Sequence, residues 1–325
     1  MSCPLLLSFL LLLNLSQTNH SAKGLWGFFG HQKINQVAVF TLPVEMVPFY
    51  KYHIEYITKK AVNPDMRRYV TPEESSRHYI DIDAYGDSAL YTMPRYWNVA
   101  VEEYSEDTLT AHGIVPWHVV KVKNYLTKAF RNQDIEQVLR LSADLGHYIA
   151  DANVPLHTTQ NYNGQFSNQY GIHGFWESRL PELFWEEYDF FTGKARYLED
   201  PQKEIWNGVK AAHLALDSVL RFERELTENF RREKKYAYED RNGRTVRVYS
   251  QAFSKEYHRK LNGMVERRMR AAIRMVGDFW YTAWVDGGQP DLPLGSKDLP
   301  TDSLQIDRRT MEQREHESGI LVEKN

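Results

Sequence analysis

The chain has 325 residues, enough for one large domain or two small ones, with 42% hydrophobic and 26% charged residues, an ordinary globular balance. Its formal net charge of −3 argues against a general nucleic-acid scaffold, which would be basic overall, but not against an enzyme that handles phosphates through metals. The only cysteine is Cys3.

Leu5 to Leu15 is almost purely apolar and is followed by the polar QTNHSAK. Such a stretch is too short to span a bilayer, which takes about 20 residues, but it fits the apolar region of an export signal. The reading is a signal peptide over 1–22, cleaved after Ala22, and a secreted or periplasmic protein with no membrane span once the signal is removed. An uncleaved anchor is the alternative. Cys3 would leave with the signal, so the mature chain would have no disulfides and no thiolate metal ligands.

After Trp26-Gly-Phe-Phe-Gly-His31 the run INQVAVFTL predicts a helix, and Pro43 and Pro48 bound a second one over roughly 47–60. The polar VNPDMRRYV carries Asp65, Arg67 and Arg68 and is expected as a loop. PEESSRHYIDIDAY, with His78, Asp81 and Asp83, alternates briefly and reads as strand or extended loop. Helices follow over Pro94–Tyr104 and from Pro116 to about Phe130. Asp134 caps the next, which must end before Pro155. Residues 158–169 form a polar loop rich in Asn and Gln. A helix restarts near Ile172 and runs to Arg179, ahead of Pro181. A long helix is expected from Ile205 to about Lys235, a β-hairpin around Asn242-Gly243, and a last helix from Lys255 to Val285. Its basic run ERRMRAAIR reads as a solvated face. From 288 to 325 Pro, Gly and charge dominate, and a disordered tail is expected. The fold class is all-α: one mostly helical domain over 26–287, with one small hairpin.

Leu145 to Glu177 carries the chemistry. His147 and Asp151 are four apart, as are His173 and Glu177, and His157 lies between the pairs. Residues four apart share one helix face, so each pair can close on one ion. Chance alone supplies roughly one or two such pairs at this composition. A third pair, His213 and Asp217, sits in an ordinary amphipathic pattern and reads as structural. The wider candidate set is His31, Asp65, His78, His147, Asp151, His157, His173 and Glu177. Imidazole and carboxylate suit zinc, and so many ligands suit two or three ions rather than one. Clustered metals cleave phosphate esters by making hydroxide at neutral pH and stabilising the leaving oxygen.

In order and spacing these residues resemble the zinc-dependent phospholipase C and fungal single-strand-specific nuclease superfamily. The resemblance runs from Trp26 to about Leu183. It implies a helical fold with three zincs at the bottom of a cleft. Asp65, His78, His147 and Asp151 would hold the first; His157, His173 and Glu177 the second. His31, the bridging Asp151 and the backbone amine and carbonyl of Trp26 would hold the third. By the family mechanism a hydroxide between the first and third zincs attacks phosphorus, with Asp65 and Asp151 as the catalytic carboxylates, and the second zinc stabilises the departing alkoxide. Tyr79, Asn161, Tyr162 and Asn163 are candidates to line the substrate cleft, or are simply polar loop residues. Arg68 stands where the nuclease branch has an acidic base-binding residue. The implied substrate is a phosphodiester, nucleic acid or phospholipid, and no stable protein partner is evident. A helical binding protein with closed, structural zinc sites is the alternative.

Overall fold

A computed structural model of the chain describes residues 26–241 and 243–293. The predicted leader, 1–22, and residues 294–325 of the predicted tail lie outside the described residues. The architecture is all-α, with a single antiparallel hairpin, Tyr236–Arg241 paired with Arg244–Tyr249, among the described residues. Tyr236 faces Tyr249 and Arg241 faces Arg244, and Gly243 between the strands takes φ 74°, so the hairpin lies where the sequence predicts it.

The centre of the fold is the helix Ile135–Asp151. Asp134 caps it by accepting the Gln137 N–H at 3.1 Å. Every residue from Leu141 to Asp151 is buried, and a helix buried on all sides must lie inside the bundle. Around it pack Trp26–Ala38, Ile54–Lys60, Val115–Arg131 and Met264–Asp286. Its polar residues each meet a partner. Ser142 Oγ pairs with Tyr50 OH at 2.8 Å, and Asp144 with Arg67 at 3.1 Å.

One contact sets the crossing that matters most. Asn35, on the first helix, donates to Ala143 O at 3.0 Å, and a Cβ added at Gly146 would lie 2.0 Å from Asn35 Oδ1. Gly146 therefore lets the two backbones approach. One turn earlier on the first helix His31 stacks on His147, ring centroids 3.8 Å apart. Asn35 is fully buried and has nowhere to swing. Gly146→Ala is expected to lower unfolding free energy by about 1–3 kcal/mol, as overpacking does, measurable by denaturant titration of the zinc-loaded protein.

Several predicted boundaries move. The helix expected over 47–60 bends at His53, whose ring packs on Phe49 and Tyr52, so Val47–Tyr52 and Ile54–Lys60 are separate segments. Asn63–Arg67 is a short helix rather than a loop, with Pro64 in its first turn. The stretch read as strand or extended loop forms two tight turns, Pro72–His78 and Ile82–Tyr85. Pro181 does not stop the helix begun at Ile172. A π-helical turn over Phe175–Arg179 widens the hydrogen-bond spacing, and the helix continues as Leu180–Phe184. The long helix spans Pro201–Asn229 and ends where Phe230 turns to extended backbone and packs on Phe253. The last predicted helix is two, Gln251–Leu261 and Met264–Asp286. Asn262 and Gly263 break it in the left-handed region, at φ 47° and 72°, which Asn and Gly tolerate best. No helix among the described residues is long and apolar enough to cross a membrane.

Candidate metal centre

The eight side chains singled out in the sequence converge. His78 Nδ1 and His147 Nε2 lie 3.0 Å apart, and Asp151 Oδ2 lies 2.8 Å from the first and 3.1 Å from the second. Asp65 Oδ1 closes this group at 3.7 Å from His78 and 3.8 Å from His147. In the second group His157 Nε2 is 3.2 Å from His173 Nε2 and 3.1 Å from Glu177 Oε2, and His173 to Glu177 is 2.7 Å. The other oxygen of Asp151, Oδ1, lies 3.4 Å from His31 Nε2. Asp151 thus presents one oxygen to His78 and His147 and the other to His31. Trp26 opens the first helix. The ligand role expected of its amine concerns the chain just before that helix, outside the described residues.

Three of the five imidazoles are oriented by a backbone carbonyl. His147 Nδ1 lies 2.8 Å from Ala61 O, His157 Nδ1 2.8 Å from His78 O, and His173 Nδ1 3.2 Å from Tyr162 O. A ring nitrogen facing a carbonyl donates, so in the neutral imidazole the opposite nitrogen carries the lone pair. Neutral His157 and His173 would aim two lone pairs at each other, beside a carboxylate, and such a pair repels unless a proton or a metal cation sits between them. Zinc with nitrogens at about 2.0–2.1 Å in a tetrahedron would space its ligand atoms roughly 3.3 Å apart. The spacings within the second group suit that ion, and among the described residues His31/Asp65/His147, His78/His147/Asp151 and His157/His173/Glu177 each bring three ligand atoms within 4.8 Å of one another, close enough to hold a metal ion.

The electrostatics agree. Burial pushes the Asp151 carboxyl up, but His147, His157 and His31 outweigh it and hold it well below the usual carboxylate range. Glu177 behaves alike: burial opposes, and His173 and His157 prevail. Burial lowers His157, while Asp151 and Glu177 more than reverse this and raise it to about 9. In the absence of metal the cluster holds protons where a metal would hold itself.

Sequence reasoning passed over the layer behind His78. Glu74 is fully buried, with Oε1 3.7 Å from His78 Nε2. Tyr148 OH and Arg77 also contact its carboxylate, and Arg67 reaches Glu74, Asp144 and Tyr148 together. The signal was in the chain: Glu74 stands four residues before His78, the same spacing reversed. Burial opposes ionisation of Glu74, yet His78, Arg67, Tyr148 and Arg77 keep its carboxyl well below the ordinary range. A carboxylate behind a metal-binding imidazole fixes the ring and raises its basicity. Glu74→Gln is expected to weaken zinc binding about 10–100-fold, read by competition with a coloured chelator, with far-UV circular dichroism unchanged.

Asp65 and His173 are the most open of these groups, their side chains 21% and 26% exposed. At this opening Tyr79 is half-buried and donates to Ala111 O at 3.3 Å. The Tyr162 ring lies edge-on to His173, centroids 6.0 Å apart. Asn161 and Asn163, by contrast, shape their own loop: Asn161 accepts from Phe166 N at 2.8 Å and donates to Ser167 Oγ at 3.0 Å, and Asn163 accepts from Gly171 N at 3.1 Å. Arg68 points a guanidinium nitrogen to 3.4 Å from Asp65. The pair His213 and Asp217 is structural, as read: His213 Nδ1 lies 3.0 Å from Thr158 Oγ1, and Asp217 pairs with Arg221.

A family model described as zinc-dependent phospholipase C matches residues 30–240. The chain belongs to the zinc-dependent phospholipase C family. A comparison with curated proteins found no match. The matched span takes in every clustered candidate ligand from His31 to Glu177, and the helical fold agrees with the family expected from the sequence. This phospholipase C relative is accordingly a zinc hydrolase of the phospholipase type.

Proposed function

We propose that the protein is an exported phosphodiesterase that hydrolyses the headgroup phosphodiester of phospholipids, using two or three zinc ions. The observation that carries this is the two-sided Asp151, whose oxygens serve two groups of ligands, beside an acid, Asp65, that keeps access to solvent. Bound zinc would supply a nucleophile at neutral pH and charge stabilisation for the leaving oxygen. The protein's own groups do the rest. His78, His147, Asp65 and Asp151 would hold the first ion, His157, His173 and Glu177 the second, and His31 with Asp151 a third.

Asp65, at the cleft opening, accepts a proton from the attacking water. Asp151 is fixed by its histidines and stays ionised. Arg68, beside Asp65 in the half-exposed rim, places a cation where phosphate oxygens arrive. The match to a phospholipase C family model supports lipid over nucleic acid. Three ligands in the second group leave a coordination position free, which is the pattern of catalytic rather than closed structural zinc.

The test is hydrolysis of phosphatidylcholine and of single-stranded DNA by the zinc-loaded protein, each with and without chelator. Chelator-sensitive release of phosphocholine, at a rate at least about tenfold above DNA cleavage, is the expected result. Chelator-sensitive cleavage of DNA alone would replace lipid by nucleic acid, and activity on neither would reject the hydrolase.

A further inference from the structure

The loop between His157 and His173 is unusual for this chain. From Thr158 to Ile172 it carries no Asp, Glu, Lys, Arg or His, in a protein with 26% charged residues. It nevertheless sits at the surface, with Phe166 74%, Tyr170 64% and Tyr162 51% exposed. The loop is not slack. Asn161 and Asn163 bond its backbone, Gln169 N bonds Gly164 O at 2.8 Å, and Gly164 adopts φ 72° with no room for a Cβ against Gln169. Rigid backbone therefore presents aromatic rings outward next to His173.

The adjoining segment has the opposite chemistry. From Arg231 to Tyr249 there are seven Lys and Arg against three Asp and Glu, in a chain whose net charge is −3. Arg232 and Lys234 are exposed, and among the described residues neither is paired with a carboxylate. Tyr238, on the hairpin, is 74% exposed. Loop and hairpin are joined through one buried group: Gln169 Nε2 donates to Glu223 Oε2 at 2.6 Å, and Lys235 Nζ lies 2.8 Å from Glu223 Oε1. Gln169 and Lys235 thus meet the two oxygens of one carboxylate, which ties the loop carrying Tyr170 to the segment carrying Lys234.

We propose that the loop 158–172 and the hairpin segment 231–249 form one docking face for an anionic phospholipid bilayer, which sets the cleft opening against the membrane. Aromatic rings favour the headgroup region, where an apolar body and a polar edge are both accommodated. Unpaired Lys and Arg are drawn to the negative surface potential of anionic lipid. The charge-free loop lets the cleft rim approach headgroups without stripping water from an ion. This inference rests on the phospholipid substrate proposed above.

The test uses the zinc-loaded full chain, with flotation on vesicles of phosphatidylcholine alone and of phosphatidylcholine with one-third phosphatidylserine, in the cold. Turnover of a soluble, monomeric phosphodiester is measured in parallel. Binding to the mixed vesicles is expected to be about tenfold tighter than to phosphatidylcholine alone and to weaken with salt. Phe166→Ser with Tyr170→Ser, and separately Arg232→Glu with Lys234→Glu, should each reduce vesicle binding about tenfold and leave soluble turnover within about twofold of the parent. Wild-type-like vesicle binding by either variant, or no preference for anionic vesicles in the parent, overturns the docking face. Loss of soluble turnover in the parent strikes the hydrolase reading instead, so the two failures are separable.

Discussion

Asp151→Asn is expected to lower phosphodiester turnover by at least about 1000-fold, equivalent to about 4 kcal/mol of barrier. Asp151 faces His78 and His147 with one oxygen and His31 with the other. An amide keeps the shape but offers one neutral acceptor and an NH2 that would point at a ring nitrogen or at an ion. Both groups of ligands lose their shared anion in one substitution. Zinc content, measured by atomic absorption, should fall by at least one ion per chain, while far-UV circular dichroism stays near the parent spectrum because the helix Ile135–Asp151 is held by its apolar neighbours. Retained turnover with a lowered melting temperature would favour closed, structural zinc.

The second large effect is on stability. Removing zinc should lower the melting temperature by roughly 10 °C, since a ligand at about 1000 times its dissociation constant contributes about 4 kcal/mol, and each kcal/mol moves a domain of this size class by about 2–4 °C. The size of the gap should depend on pH, with a definite sign. Without metal, His157 is raised to about 9, with burial opposing and Asp151 and Glu177 prevailing. A raised histidine stabilises the fold fully below its unfolded pKa, about 6.5, and that contribution is lost as pH climbs through the folded value. Asp151 and Glu177 are depressed, so their contribution is present above about 4 and lost as pH falls. The chelated protein should therefore be most stable near pH 5–6 and weaken toward 9. Zinc competes with those protons and binds more tightly as pH rises. Scanning calorimetry at several pH values, with zinc and with chelator, should show the gap widening from pH 6 to 8. A gap that narrows over this range would contradict the coupling between the histidines and the metal.

Much of the site was legible because its ligands fall at regular local distances. His147 and Asp151, and His173 and Glu177, are set by helical repeat alone, and a helix places them together whatever surrounds it. The π-helical turn over Phe175–Arg179 left His173 and Glu177 2.7 Å apart. The Asp134 cap was equally local and held, as did the hairpin paired from Tyr236 to Tyr249. Asn262-Gly263 was the same kind of signal, masked by apolar spacing that continues on both sides of it.

What the sequence by itself determined was the helical class and the eight candidate residues that the fold brings together. The tertiary structure decided which nitrogen of His147, His157 and His173 faces inward, because Ala61 O, His78 O and Tyr162 O are brought from other segments. It decided that Gly146 is a crossing point for Asn35, and that Glu74 and Arg67 stand behind His78 and Tyr148. It also separated the 158–172 loop into Asn side chains turned onto their own backbone and aromatic rings turned to solvent. The division has one cause. Spacing along a helix is a property of the chain, whereas the direction of a ring, a carboxylate or a loop is fixed only by groups far away in sequence that fill its remaining hydrogen bonds.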